Sequence, residues 1–299
     1  MLNLQHYCLF RLMKIFFLLL IFLTLISCGQ GGKDTEERVL TVSIAPFKYF
    51  VEEIAGNDFK VNVMVPPGAD PHTYEPFPEQ INQLRRSVAY ISNGYMGFEM
   101  TWLDRFYETN RKMKKLSLGD KIELVGSGHH HEGGHIEGAD PHYWVSPKCA
   151  LIMASSVKDF LCDLNPSQKE KYEKNYWSLI LKIQETDNKA RELFMGIKGS
   201  SFMIYHPNLA YLARDYNLKE ISVEYEGKEP SPSRMKELID LGRKDRIKTI
   251  FVQREFDSKN AKVIAREIGA EIQIIDPLSG DWYKATNDII EALHNSLIK

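Results

Sequence analysis

The chain has 299 residues, a formal net charge of −2, and 43% hydrophobic and 26% charged side chains. That length allows two domains of ordinary size, and the apolar and charged fractions are those of a globular protein rather than a disordered or fibrous one. A near-neutral chain with no basic run excludes a nucleic-acid footprint.

The N-terminus reads as an export signal. Arg11 and Lys14 precede an apolar run from Ile15 to Ile26. That run is short of the ~20 residues of a membrane span and matches the apolar region of a secretory signal. Met13-Lys14 is a better signal start than Met1. The run ends in Leu25-Ile26-Ser27-Cys28, which resembles the lipobox of bacterial lipoproteins, where the cysteine becomes the lipidated first residue. Residues 1–28 are therefore expected to be a signal peptide, with Cys28 the lipidation site. Residues 29–38 form a polar, Gly-rich tether.

Strands and helices then alternate in two halves. In the first, β-rich apolar runs at Val39–Ile44, Val61–Val65, Val88–Ser92 and Lys115–Leu118 are separated by helical patterns at Phe47–Ala55, Pro78–Arg86 and Phe98–Thr109. Gly56 reads as the glycine that ends the first helix. Another helical pattern runs from Pro147 to Leu164. It carries Cys149 and Cys162 about 20 Å apart, too far for a disulfide, so both are read as buried thiols. A long helical stretch follows from Asn165 to Ile197, with Asn165, Pro166 and Gln168 in the pattern of a capping box and an apolar stripe along one face. The second half has runs at Phe202–Tyr205, Glu220–Glu224, Thr249–Val252 and Glu271–Ile275. Its helices are Asn208–Tyr216, Ser231–Arg243, Ser258–Ile268 and Thr286–Ile298. The rhythm predicts an α/β fold of two lobes, each a parallel sheet flanked by helices, joined by one long rigid helix. The expected boundaries are 39–164 for the N-terminal lobe, 165–197 for the linker helix and 198–299 for the C-terminal lobe.

Open parallel sheets bind ligands beyond the carboxyl ends of their strands. The second run is followed by Pro66-Pro67-Gly68-Ala69-Asp70-Pro71-His72, the run Phe202–Tyr205 by His206, and Glu271–Ile275 by Asp276. Asp-Pro-His recurs at 140–142, so His142 repeats the setting of His72, and each proline stiffens the backbone beside its histidine. Three imidazoles and one carboxylate are nitrogen and oxygen ligands that zinc accepts in a four-coordinate site. Manganese prefers more oxygen, so zinc is the expected metal and Mn2+ the alternative. Coordinating imidazoles must be neutral, so affinity is expected to fall as pH drops through ~6.5.

The stretches PPGADPHTYEPFP, SNGYMGFEMTWLDRF, DPHYWVSP, YHPNLAYLARDYNL, EGKEPSPSRM and IDPLSG resemble the cluster A-I solute-binding proteins of zinc and manganese ABC transporters, the ZnuA/TroA type. The resemblance covers the whole chain after the signal. It implies two α/β lobes bridged by a long helix, with metal held between them by His72, His142, His206 and Asp276. It further implies no catalysis, capture of zinc in the cell envelope, and partnership as a monomer with a membrane permease and its ATPase, the chain being held to the membrane through Cys28. Many relatives have Glu where this chain has Gln253, to which no role is given. Glu229 is left open between a supporting group and a surface charge. The loop of His129, His130, His131 and His135 resembles the His-rich insertion of zinc-carrying relatives and is expected to hold metal weakly. The rival class is a zinc-dependent hydrolase. It would need an open metal position, which four protein ligands do not leave, and no HExxH motif supplies its general base.

Overall fold

The computed structural model describes residues 38–126, 129–130, 136–224 and 228–298. The signal, Cys28 and the tether up to residue 37 lie outside the described residues, as do His131 and His135. Of His129 and His130 only the backbone is described, as a short strand paired antiparallel with Ile136–Glu137.

The first sheet contains β1 (Val39–Val42), β2 (Lys60–Val63), β3 (Ser87–Ser92) and β4 (Lys114–Ser117), all parallel, in the order β2-β1-β3-β4. The crossovers run through α1 (Ala45–Ala55), α2 (Pro78–Arg86) and α3 (Gly97–Thr109). With the short pair counted as β5 and β6, the second sheet holds β7 (Ser201–Ile204), β8 (Lys219–Ser222), β9 (Thr249–Gln253) and β10 (Glu271–Ile275). It too is parallel, in the order β10-β9-β7-β8. Between the sheets come α4 (Pro147–Leu164) and α5 (Lys169–Phe194), and the second sheet is crossed by α6 (Ala210–Tyr216), α7 (Pro232–Lys244) and α8 (Lys259–Ile268) before α9 (Trp282–Leu297) ends the fold. The predicted α/β class and the order of elements both stand. Among the described helices none is long and apolar enough to cross a membrane.

Three local expectations change. Asn165 does not cap the long helix. Its Oδ1 accepts from Ser167 Oγ, its Nδ2 donates to Tyr172, and residues 166–168 form a 3-10 turn before the α-helix begins. The helix expected from Asn208 begins at Ala210, because Asn208 and Leu209 are held in the turn after β7, with the Leu209 N–H donated to Glu220 on β8 at 2.7 Å. The last helix starts four residues early, capped by Asp281, whose carboxylate accepts from the Lys284 N–H at 3.0 Å. Cys149 is buried and Cys162 partly so, and both are free.

The helix α5 is a packed strut. At 26 residues it is ~39 Å long, and it buries Tyr172, Leu179, Ile183, Thr186 and Ala190 of the expected stripe, together with Ile180 and Phe194. Its first half is tied to the N-terminal lobe by Lys171 to Asp58 and Lys182 to Glu53, each 2.7 Å. Its second half is tied to the C-terminal lobe by Thr186 to Asn287 at 3.0 Å and Asp187 to Tyr216 at 2.8 Å. The larger apolar cluster passes from Leu40, Phe47 and Tyr90 through this helix to Phe202, Phe251 and Trp282. A smaller one, with Met203, Ile250 and Val252, packs the other face of the second sheet. Alternate residues of β7 and β9 thus face opposite layers, as a doubly covered parallel sheet requires.

Glu220 makes the turn after β7 sensitive to pH. Burial, with the nearby Asp140 carboxylate adding, pushes its carboxyl up to about 8, against the pull of the Leu209 N–H. The folded chain therefore keeps a proton that the unfolded chain releases above the ordinary carboxylate range. This stability is fully present below that range and is lost as pH rises toward 8, at about 1.4 kcal/mol per pH unit at most. Glu220→Gln keeps the acceptor and removes the charge. Thermal melts from pH 5 to 8.5 should show a flatter pH dependence for the variant and a higher melting temperature at pH 8; parallel curves would rule out this assignment.

Candidate metal centre

Three of the four ligands nominated from the sequence meet at the crevice between the lobes. His72 Nε2 lies 3.1 Å from His142 Nε2 and 3.0 Å from His206 Nε2, and the remaining pair is 3.4 Å apart. A zinc ion with tetrahedral angles and Zn–N bonds of about 2.05 Å places its nitrogens about 3.3 Å apart. Among the described residues, these three form the one group of histidine, cysteine and carboxylate side chains able to hold an ion.

The tautomers follow from the far side of each ring. His142 Nδ1 donates to Asp140 Oδ1 at 2.7 Å, and His206 Nδ1 donates to Glu224 Oε1 at 3.3 Å. A neutral ring that donates through Nδ1 has only a lone pair at Nε2, so at least two lone pairs point into the same small space. Burial pushes the His72 pKa down to about 2, with the two neighbouring rings adding, and lowers that of His142 against the opposing Asp140 carboxylate. Such lone pairs repel one another until a cation takes them, and a neutral, convergent set is what a metal needs.

Local chemistry fixes each ring. In both Asp-Pro-His segments the aspartate accepts the N–H of the histidine two residues on, Asp70 to His72 at 2.9 Å and Asp140 to His142 at 2.8 Å. This is an Asx turn, stronger than the stiffness of proline alone. The His72 backbone rests on the first turn of α3, where Phe98 N–H donates to Pro71 O at 3.3 Å. Gly97 permits that approach, since a Cβ there would stand 2.4 Å from His72 O. Asn93 holds Pro141 O at 2.9 Å, and the buried Glu99 gathers the Asn93 and Gly94 N–H groups. The His206 backbone is clamped by the amide of Gln253, which accepts from its N–H and donates to its carbonyl, and Phe256 stacks on its ring at 4.5 Å. Gln253 thus has a role that a glutamate could not fill in both directions. Trp144 Nε1 donates to Pro277 O at 2.8 Å, and Trp282 Nε1 donates to Trp144 O at 2.6 Å, which seams the crevice shut.

Asp276 is not brought into the group. Its side chain is about a third exposed, and its Oδ2 lies 3.5 Å from Arg254 Nη1. Glu229 is exposed. Sequence reasoning passed over Glu224, Asp140 and Glu255. Burial and Asp276 push the Glu255 carboxyl up, and Glu255 lines the cavity against the three rings. Three histidines is also the count of a catalytic zinc site. The cavity lined by the three rings is about 10 Å³, room for an ion or one water.

Comparison with known proteins agrees with this geometry. The chain is 27% identical over 290 residues to the zinc-binding lipoprotein AdcA of Streptococcus pneumoniae strain R6, covering 92% of this chain and 57% of that protein. It thus spans little more than half the length of that curated relative. A crystal structure of ZnuA superposes with a TM-score of 0.82 at 34% identity, over 88% of this chain and 100% of that one, and a zinc-bound deletion mutant of ZnuA superposes with a TM-score of 0.80, also at 34%, over 88% and 98%. A family model described as zinc-uptake complex component A, periplasmic, matches residues 40–296. The chain belongs to that ZnuA family of metal-uptake proteins.

Proposed function

We propose that this protein captures zinc in the cell envelope and delivers it to the permease of an ABC transporter, which its ATPase drives. The observation that carries the reading is the convergence of three Nε2 atoms within 3.4 Å, two of them oriented by carboxylates on Nδ1. Imidazole suits zinc, whereas manganese favours oxygen-rich shells. The zinc-binding names of AdcA and of the ZnuA deletion mutant support the choice. The protein is a binding protein and not an enzyme. The N-terminal lobe (39–164) supplies His72 and His142, the C-terminal lobe (198–299) supplies His206, and residues 165–197 link them. The fourth position takes an oxygen from the C-terminal lobe, Asp276 in the reading of the sequence. Cys28 carries the lipid anchor, consistent with the lipoprotein name of AdcA. The protein works as a monomer, and the histidines of residues 129–135 gather metal weakly.

Metal analysis of protein purified without chelator or affinity tag should find one tightly held zinc per chain, and manganese should not displace it at equal free concentration. In competition with a chelator, His72→Ala, His142→Ala and His206→Ala should each lose more than the roughly 10- to 100-fold that removal of an orienting partner costs, and Glu224→Gln should lose about tenfold. Unchanged affinity in any of the three alanine variants removes that residue from the shell. A chain lacking residues 128–135 should keep the tight site and lose weaker ones.

The pH dependence differs from that of three ordinary histidines, for which log affinity would fall by three per pH unit below ~6.5. With its pKa at about 2, the His72 ring stays neutral as pH falls through 6.5 toward 5, and burial lowers the pKa of His142 as well. Zinc affinity there should fall with a slope well below three, and a measured slope of three would contradict the burial of the rings.

Cys28→Ala should move the protein from the membrane fraction to the soluble fraction or stall its processing. Normal processing with full membrane retention would remove the anchor from this reading.

A further inference from the structure

A cavity of about 480 Å³ opens at the amino end of the second sheet. The first residues of three strands line it: Ser201 of β7, Lys219 of β8 and Thr249 of β9. The metal centre lies beyond the carboxyl ends of the same sheet, so a strand length of roughly 13–17 Å separates the two.

Three cations border this cavity, Lys219, Arg246 and Lys248, against one carboxylate, Asp245. All four are exposed, and none has a hydrogen-bond or ion-pair partner for its side chain among the described residues. The last turn of α9 reaches the rim at Ser296 and Leu297. Its dipole favours cations there, yet none of the three bonds to a carbonyl of that helix. Unpaired cations on a surface are ordinary by themselves. Two further observations set this group apart.

The first is Thr249. It borders the same cavity, is 3% exposed, and its Oγ1 has no hydrogen-bond partner. Buried polar atoms are seldom left so, and a hydroxyl free to donate beside cations suits an oxyanion. The second is the backbone of Arg246. Helix α7 ends in a Schellman turn, with Ile247 N–H donating to Gly242 O at 2.8 Å and Arg246 N–H to Arg243 O at 3.3 Å. Arg246 takes the left-handed place at φ 54°. Asn217 fills that place after α6 and Gly269 after α8, as is usual. An arginine held there is strained, and strain kept at a non-glycine residue points to function.

We propose that this cavity binds a phosphate monoester, its phosphate held by Lys219, Arg246 and Lys248 with the Thr249 hydroxyl donating to one oxygen. Three cations less one carboxylate leave two positive charges, which match a monoester close to a dianion at neutral pH. The volume lies in the range of small-molecule sites, roughly 300–1,000 Å³. Phe202, Ile247 and Leu297 line the rest of it and suit a small organic group on the ester. The site stands independently of the metal-binding reading.

Calorimetry on the full metal-free chain tests this with glycerol 3-phosphate, with glycerol as control, and with monomeric dioctanoyl phosphatidic acid. One phosphate ester should bind per chain, and glycerol should not bind. Lys219→Gln and Lys248→Gln should each weaken the ester on the order of tenfold. Arg246→Gly should weaken it at least as much while melting at the same or a higher temperature, because glycine adopts φ 54° without strain. Variant-sensitive binding of glycerol 3-phosphate assigns a soluble ester, and variant-sensitive binding of the phosphatidic acid alone assigns a lipid headgroup; both support the site. Binding of neither ester, or equal binding in all three variants, overturns the proposal, and so does a lower melting temperature for Arg246→Gly.

Discussion

Three imidazole nitrogens held within 3.4 Å, at least two of them with inward lone pairs, are an arrangement that no apolar core would assemble unaided. Every strong contact around them holds a ring against that repulsion. Asp140 and Glu224 pull on the far nitrogens, Asp70 and Asp140 grip the backbone N–H groups, and Gln253 clamps His206 from below. The strain is confined to a few side chains, because the fold beneath them is two well-packed parallel sheets. A cation converts the repulsion into bonding without moving the rings far. Such preorganisation favours tight binding, since little ordering would remain to be done when an ion arrives.

The lobes contribute unequally. The N-terminal lobe offers two histidines on Asx turns beside proline, a stiff platform set on the first turn of α3 and on the loop that Glu99 gathers. The C-terminal lobe offers one histidine directly from a strand end, and with it the carboxylates of Glu224, Glu255 and Asp276. The indole seam of Trp144 and Trp282, together with Tyr211 reaching Asp140 O at 2.6 Å, holds these unlike halves in register. The long helix fixes their spacing from the opposite side, and the apolar cluster that runs through it leaves little room for the lobes to part as independent bodies.

Much of this was legible from residues alone, for physical reasons. Alternation of β-rich runs with helices marks a parallel sheet, and a histidine just past a strand lies where such sheets bind. His72, His142 and His206 were therefore visible. The end of a strand says nothing, however, about whether that strand is central or at an edge. Asp276 follows the edge strand β10, which only the sheet order reveals. Glu224 was likewise read as the end of a strand, because its partner lies on a neighbouring strand that the sequence does not pair with it. The capping box at Asn165 failed because Ser167 and Tyr172 compete for the same side chain. Gln253 drew no role because a reciprocal backbone clamp has no local signature.

Trp144 joins the two halves of the crevice and also touches the centre itself. Its ring lies 5.3 Å from that of His142, and its N–H is held by the C-terminal lobe at Pro277. An indole in that position senses both the charge on the neighbouring imidazole and the integrity of the seam. Its emission is therefore expected to change when the centre fills, over the background of Trp102, Trp177 and Trp282. The fold thus places an intrinsic fluorophore where occupancy of the centre can be read without a dye or a label.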